Sequence, residues 1–244
     1  MAITMYDLAG AEESRRFSPF CWRTKMALAH KGLEVETIPW RYADKPILKK
    51  LANWERVPVI VDRGRAVADS WAIANYLEDL YPERPSLFGA GPASGRAGAA
   101  QLNEVGVAAA RFVNSWADAA LNGPIARVVL LDILNHLVEG DRAYFRASRE
   151  ARFGMTLEAY AADRDVHIAA LRQVLEPVRL TLAGQPYLGG GAPLYSDYIV
   201  FGSLQWARSI CPVRLVDPSD PIDAWRNRLL DAFGGLARSA PGYW

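Results

Sequence analysis

The sequence predicts a two-part fold, in which a small mixed α/β domain precedes a domain made only of helices. Three observations support this prediction. Short β-branched runs alternate with helical periodicity up to residue 82, and a stretch rich in proline and glycine follows at residues 83–94. Beyond that stretch only helical patterns occur. We therefore expect domains at residues 1–82 and 95–244, joined by a linker at 83–94.

The first domain contains seven expected elements in the order βαβαββα. The strands are expected at 3–8, 34–39, 58–62 and 65–68, and the helices at 18–31, 46–53 and 70–80. Arg63 and Gly64 join the third strand to the fourth. This order fits a small mixed sheet of the thioredoxin kind.

The second domain is expected to be an all-α bundle. Helical spacing of apolar residues covers 95–121, 124–138, 141–183 with at least one break, 195–210 and 222–236. Asp197 follows Leu194 by three residues, and a leucine cannot provide the hydroxyl half of a capping box. We expect that cap to be lost or shifted to Ser196.

The composition argues against several classes of protein. The chain has 244 residues and a net charge of +1, with no basic stripe for nucleic acid and no apolar run long enough for a membrane span. With two cysteines and three histidines, neither a disulfide framework nor a metal ion is expected. The first residues lack the basic and apolar regions of a signal peptide, so we expect a cytoplasmic protein.

The most informative motif lies at residues 17–25, where Ser18 and Pro19 come directly before a helix. This pair is typical of an N-cap followed by proline at the first helical position. A helix N-terminus carries partial positive charge and unpaired N–H donors, so it attracts anions such as a thiolate. A hydroxyl that donates to that thiolate would activate it as a nucleophile. The alternative is that Ser18 only caps the helix.

Two further motifs follow along the chain. The run at 57–61 reads as a strand, with Pro58 at its start, where a missing N–H is tolerated. An ordinary edge-strand proline is one interpretation of this residue. The third motif, Asp69-Ser70, opens the helix at 70–80, and we expect Ser70 to cap it while the free N–H groups hold a carboxylate.

In order and separation, these three motifs resemble the thiol-binding half of cytosolic glutathione transferases. The resemblance implies the glutathione transferase fold, with glutathione as co-substrate and Ser18 as the catalytic residue that stabilises its thiolate. It also implies a cis bond before Pro58, ligand contact through the Val57 backbone, and an Asp69–Ser70 pair that holds the γ-glutamyl end of glutathione.

The glycyl carboxylate of glutathione needs a cation. Arg56 and Arg41 are the candidates, together with Lys45 in the same loop region. A charged loop residue that is simply solvated is the alternative for each of them.

The N-terminal half is also similar to the Ser-type transferases related to bacterial lignin β-aryl etherases and their fungal relatives. Residues 6–8, 17–25 and 55–62 carry this similarity. It implies a homodimer and an apolar, aromatic electrophile, with β-aryl ether cleavage as the sharpest substrate hypothesis. Phe20, Asn114 and Trp116 are the candidates for contact with that second substrate.

Two other functions stay open. Ser18 and Cys21 have the spacing of a redox C-x-x-C motif whose first cysteine is replaced. Cys21 is either a buried apolar residue or a thiol that forms mixed disulfides with glutathione, which would make the protein a thiol transferase. A protein that binds glutathione or another ligand without turnover would preserve the same motifs.

Overall fold

The computed structural model describes residues 2–89 and 99–244, with side chains from residue 102 onward in the second range. The first domain contains four strands and three helices. They are β1 (Ile3–Leu8), α1 (Pro19–His30), β2 (Val35–Trp40), α2 (Lys45–Ala52), β3 (Val59–Asp62), β4 (Arg65–Ala68) and α3 (Ser70–Leu80). The expected order is confirmed, and most bounds agree to within one residue.

The sheet has the strand order β2-β1-β3-β4. β1 pairs in parallel with β2, and the helix α1 supplies the crossover between them. β3 pairs antiparallel with both β1 and β4, and the tight turn at Arg63 and Gly64 joins the hairpin. Buried residues such as Met5 and Ile60 face each other across β1 and β3. The α/β thioredoxin-like part of the predicted fold is therefore confirmed.

The regular elements of the described residues from 99 onward are helices joined by loops. The α-helices are α4 (Ala99–Trp116), α5 (Asn122–His136), α6 (Glu139–Phe153), α7 (Leu157–Tyr160), α8 (Arg164–Val174), α9 (Glu176–Gly184), α10 (Tyr195–Ile210) and α11 (Pro221–Gly235). The predicted breaks within 141–183 are confirmed. The expected linker at 83–94 and the expected helix start at residue 95 lie partly outside the described residues, so the domain bounds stay predictions.

One predicted break is wrong. The sequence placed a gap between 121 and 124, but a π-helical turn at Ala117–Leu121 leads directly into α5. The Asn122 side chain donates to Asp118 at 3.1 Å and accepts from Ser203 of α10 at 2.8 Å. These contacts hold the chain helical at an asparagine and glycine that would otherwise favour a break.

Helix α10 packs against α1 and fixes the position of its N-terminus. A Cβ atom on Gly202 would lie only 2.5 Å from the Pro19 carbonyl oxygen, so only glycine permits this approach. Arg23 is fully buried and donates to Asn114 at 2.9 Å and to Asp118 at 3.2 Å. The first turns of α1 are thus held by helices of the second domain.

The Asp197 carboxylate accepts several hydrogen bonds at the start of α10, where the sequence predicted an incomplete cap. It accepts the Leu194 N–H at 3.0 Å, so the acidic half of the capping box is present although Leu194 offers no hydroxyl. It also accepts the N–H groups of Leu188 at 2.7 Å and Gly189 at 2.9 Å, and the Trp225 indole N–H at 2.8 Å. The carboxylate half of the cap is therefore kept and joins a loop and two helices, whereas the hydroxyl half is lost, as expected, and is not shifted to Ser196.

None of the helices in the described parts of the chain is both long and apolar enough to cross a membrane.

Candidate functional site

The candidate site begins at the N-terminus of α1. Ser18 has extended backbone angles, and its Oγ accepts the main-chain N–H of Cys21 at 3.2 Å. Pro19 occupies the first helical position, where no N–H is required. The sequence prediction of a Ser-Pro cap is therefore confirmed. Phe20 N–H is left as a donor that the helix itself does not pair.

Ser18 lines a cavity of about 520 Å³ between the first domain and the helices α5 and α6. The volume falls in the range of small-molecule sites. Phe20 and Val57 also line it, so two of the predicted contact residues share the cavity with Ser18. Apolar side chains of α5, including Ala126 and Leu130, form the opposite wall.

The Val57–Pro58 bond is cis, as the family resemblance implies. Pro58 is buried, and its carbonyl oxygen accepts the Asp69 N–H at 3.2 Å. This hydrogen bond joins the start of β3 to the start of α3. It brings the second and third sequence motifs together, although Asp69 and Ser70 are not among the residues that line the cavity.

The expected cap by Ser70 is wrong. Asp69 is the N-cap of α3, and its carboxylate accepts the N–H groups of Trp71 at 2.9 Å and Ala72 at 3.1 Å. Asp69 has a φ of 76° and a ψ of 130°, a backbone conformation outside the left-handed helical region that is strained for a residue with a Cβ atom. Ser70 is the first residue of the helix and is buried, while its carbonyl oxygen accepts the Tyr195 hydroxyl at 2.7 Å.

The candidate cations separate into two groups. Arg56 and Lys45 line the cavity. Arg41 does not line it, because its guanidinium donates to the Gly10 carbonyl oxygen at 3.3 Å and to Glu13 at 3.4 Å. Of the predicted cations, the structure therefore gathers Arg56 and Lys45 at the site and leaves Arg41 outside it.

The second-substrate candidates also separate. Phe20 lines the cavity, and the Arg23 guanidinium lies 4.7 Å from its ring centroid. Asn114 does not line it: it is buried, with its side chain bound to Arg23 and Asp118. Trp116 lies outside the cavity lining as well.

Sequence reasoning missed a set of cavity residues on α6 and in the following segment. They are Arg149, Arg152, Phe153 and Tyr160. Their signal was the spacing of 145, 149 and 152, which places three side chains on one face of a helix. Because the sequence predicted only a helical region at 141–183 with a break of unknown position, it did not show which helical face would contact the first domain.

Cys21 is fully buried, and this burial raises the pKa of its thiol well above the ordinary value. Cys211 is also buried, and its pKa is raised to about 12, chiefly by the same desolvation. Thiolate is the reactive form of cysteine, so this environment suppresses nucleophilic chemistry at either residue. The C-terminal Trp244 donates its indole N–H to the Cys211 carbonyl oxygen at 2.9 Å and does not line the cavity.

Comparison with known proteins identifies the family. Residues 17–80 match the family model of the glutathione S-transferase N-terminal domain, and residues 108–226 match a model of the C-terminal domain. A probable glutathione S-transferase GSTU1 from Oryza sativa subsp. indica is 39% identical over 104 residues, which span 41% of this chain and 41% of that protein. The chain thus matches about two fifths of the length of that relative.

Solved structures resemble the chain over nearly its full length. Glutathione transferase GSTFuA2 from Phanerochaete chrysosporium has a TM-score of 0.73 and 28% identity, covering 97% of this chain and 94% of that one. A glutathione S-transferase, CsGST63524, of Ceriporiopsis subvermispora, solved in complex with glutathione, has a TM-score of 0.76 and 22% identity, with 99% of each chain covered. Since both domain models match in the expected order, the chain belongs to the glutathione S-transferase family.

Proposed function

We propose that this protein is a glutathione transferase in which Ser18 stabilises the thiolate of glutathione for attack on an aromatic electrophile. The observation that carries the proposal is the hydrogen bond between Cys21 N–H and Ser18 Oγ. A hydroxyl has one proton to donate and two lone pairs to accept with. Because Ser18 caps α1 as an acceptor, its own proton stays available for a thiolate in the cavity.

The electrostatics of the site support the same role. The N-terminus of α1 contributes partial positive charge and the Phe20 N–H donor. Ser18 is only 4% exposed, so a thiolate beside it would exchange part of its hydration for fixed donors. In the reaction, the sulfur of glutathione forms a C–S bond to the electrophilic carbon, and the leaving group departs with its electron pair.

The remaining glutathione contacts follow from the motifs. The Val57 main chain pairs with the cysteinyl part of glutathione, and Asp69 and Ser70 hold the γ-glutamyl part. Arg56 and Lys45, which both line the cavity, provide the cations for the glycyl carboxylate. The α-ammonium group at one end of glutathione is thereby paired with Asp69, and the glycyl carboxylate at the other end is paired with Arg56 and Lys45.

The aromatic lining of the cavity supports an aromatic electrophile. Phe20, Tyr144 and Phe145 lie on its walls together with Tyr160. Aryl ethers are the first class to test, since the resemblance to β-aryl etherases covers the segments that carry Ser18 and Val57. In that reaction the thiolate would displace a phenolate.

A homodimer forms part of the proposal. Helix α4 exposes the apolar side chains of Leu102, Val105 and Phe112, and Phe112 is 74% exposed. Their spacing places them near one face of the helix. Apolar side chains in this arrangement favour burial against a partner, and a second copy of the chain is the expected one.

The test is the ultraviolet spectrum of bound glutathione, titrated with pH, for the wild type and for Ser18→Ala and Ser18→Thr. We expect a thiolate band at neutral pH in the wild type, a shift of that band to higher pH in Ser18→Ala, and a near-normal titration in Ser18→Thr. An unchanged titration in Ser18→Ala would contradict the role of Ser18. Binding without a thiolate band would favour a non-catalytic binding protein.

A further inference from the structure

The arginines of α6 divide into two classes. Arg142 pairs with Glu139 at 2.7 Å, and Arg146 pairs with Glu150 at 2.9 Å and Glu158 at 2.8 Å. Arg149 and Arg152, which line the cavity, have no carboxylate within ion-pair distance among the described residues. The helix thus neutralises the two arginines that do not line the cavity and leaves positive charge on the wall formed by the two that do.

The acidic residues of the cavity do not balance this charge. Asp118 pairs with Arg23 at 3.2 Å, and Glu55 pairs with Lys49 at 3.6 Å; neither cation lines the cavity. Unbalanced guanidinium groups at the rim of an apolar cavity attract anions. Arg56 and Lys45 are already assigned to glutathione in the proposed function, whereas Arg149 and Arg152 are not.

Arg149 is held in a defined position. Its guanidinium lies 4.6 Å from the Phe145 ring centroid and 5.4 Å from that of Tyr42, and it donates to the Tyr42 hydroxyl at 3.4 Å and to Ser148 Oγ at 2.9 Å. These contacts use two of its five N–H donors. A half-buried guanidinium with fixed orientation is suited to bind a carboxylate.

Aromatic rings lie beside the two arginines. The Arg152 guanidinium is 5.6 Å from the Phe153 ring centroid, and Phe153 stacks on Tyr160 with 3.9 Å between ring centroids. Tyr144 and Tyr42 extend this wall, with their ring centroids 5.6 Å apart. The same surface therefore offers contacts for an aromatic ring and for an anion attached to it.

We propose that the second substrate of this cavity is an aromatic carboxylate, whose ring packs against the aromatic wall and whose carboxylate binds Arg149 and Arg152. The inference rests on the proposed function for the reaction, but the binding preference itself does not require turnover. The inference restricts the expected second substrates from aromatic electrophiles in general to aromatic electrophiles that carry a negative charge.

The test compares two probe pairs that differ in charge but little in shape. Naphthalene-2-carboxylate and naphthalene-2-carboxamide report binding by calorimetry without glutathione. The 4-chloro-3,5-dinitrobenzoate anion and its carboxamide report turnover, in which the glutathione sulfur replaces chloride. The variants are Arg149→Gln and Arg152→Gln, with Arg142→Gln, an arginine of α6 that does not line the cavity, as the matched control.

We expect the wild type to prefer the carboxylate of each pair by about 3- to 10-fold, the range for a partly exposed charge-assisted contact. Arg149→Gln and Arg152→Gln should each reduce that preference, chiefly through KM, and Arg142→Gln should preserve it. Added salt should weaken the preference because it screens exposed charges.

Equal affinity for the two naphthalene probes would overturn the inference, as would a preference that survives both cavity substitutions. An increase of KM for glutathione alone in Arg149→Gln would also overturn it, because Arg149 would then belong to the glutathione site. Absence of turnover with both electrophiles, combined with preferred binding of the carboxylate, would count against the proposed function and support the inference.

Discussion

The Ser18 hydroxyl accepts the main-chain N–H of Cys21 at 3.2 Å, so one side chain begins α1 and faces the cavity at the same time. The cap uses a lone pair, and the proposed chemistry uses the proton. The two roles are therefore compatible, and they respond differently to substitution. The free energy of unfolding measures the contribution of Ser18 as a cap, whereas the turnover rate measures its contribution as a donor to the thiolate.

Ser18→Ala should lower the free energy of unfolding by about 0.5–2 kcal/mol, the usual cost of losing an N-cap. It should lower kcat/KM by about 10- to 10³-fold, because one donor to the thiolate is lost. Urea denaturation and steady-state kinetics measure the two effects. Thr156→Ala is the matched control, since Thr156 caps α7 by accepting the Ala159 N–H at 3.2 Å and lies outside the cavity lining.

The control should lose stability without losing activity. If both variants lost activity in proportion to stability, Ser18 would be a structural cap only.

Cys21→Ala should leave conjugation nearly unchanged, because the thiol is buried and its raised pKa keeps it protonated. Cys211 has the same character. Neither cysteine of the native protein should react rapidly with a disulfide reagent at neutral pH, whereas both should react after denaturation. Rapid labelling of native Cys21, together with loss of thiol-transfer activity in the alanine variant, would instead support the thiol transferase function.

The Asp69→Asn variant removes the negative charge of residue 69 but keeps a side chain that can cap α3. Asparagine also caps helices and has nearly the same shape as aspartate, so the free energy of unfolding should change little. The proposed contact with the α-ammonium group of glutathione would be weakened, and KM for glutathione should rise by about 3- to 10-fold with little change in kcat. An unchanged KM would remove Asp69 from the glutathione site.

Two histidines should make the folded state sensitive to acid. Burial lowers the pKa of His30 and of His136 below their ordinary value of 6.5. The unfolded chain therefore takes up protons at a higher pH than the folded chain does. The stability that neutral histidine contributes is complete above about pH 6.5 and is lost as pH falls toward the lowered folded pKa.

His30 should dominate this effect, since it is the more buried and its Nδ1 lies 2.6 Å from the Tyr198 hydroxyl oxygen. Its largest contribution is about 1.4 kcal/mol per pH unit, and His136 should contribute less because solvent screens it more. Urea denaturation across this pH range provides the measurement. His30→Gln should reduce the slope more than His136→Gln; equal slopes in all three proteins would refute the assignment.

Local sequence signals predicted much of the first domain. Proline after Ser18 marked the start of α1, and β-branched runs marked β3 and β4, because these preferences act over a few residues. The assignment of the α3 cap was wrong because the local pattern offered two candidates and a contact with another segment selects between them. Asp69 and Ser70 are both good caps, and the backbone angles that select Asp69 depend on its hydrogen bond to Pro58.

The second domain was harder to predict because tertiary contacts decide its details. Asn122 and Gly123 favour a break, yet contacts with Asp118 and Ser203 keep the chain helical. Asn114 and Arg41 are polar residues that the sequence offered as candidates for the site, but their hydrogen-bond partners hold them outside the cavity lining. No spacing rule shows which partner a long polar side chain will choose.

By itself, the sequence determined the two-part fold, the helix that begins after Ser18 and the order of the three motifs, because propensity, capping and hydrophobic periodicity are properties of short segments. Only the tertiary structure decided that Arg149 and Arg152 share a cavity with Ser18, whereas the pairing of Arg142 with Glu139 and of Arg146 with Glu150 follows from their spacing on one helix. The composition of the cavity depends on how α6 packs against the first domain. Distant segments determine this packing by the apolar surface they bury together.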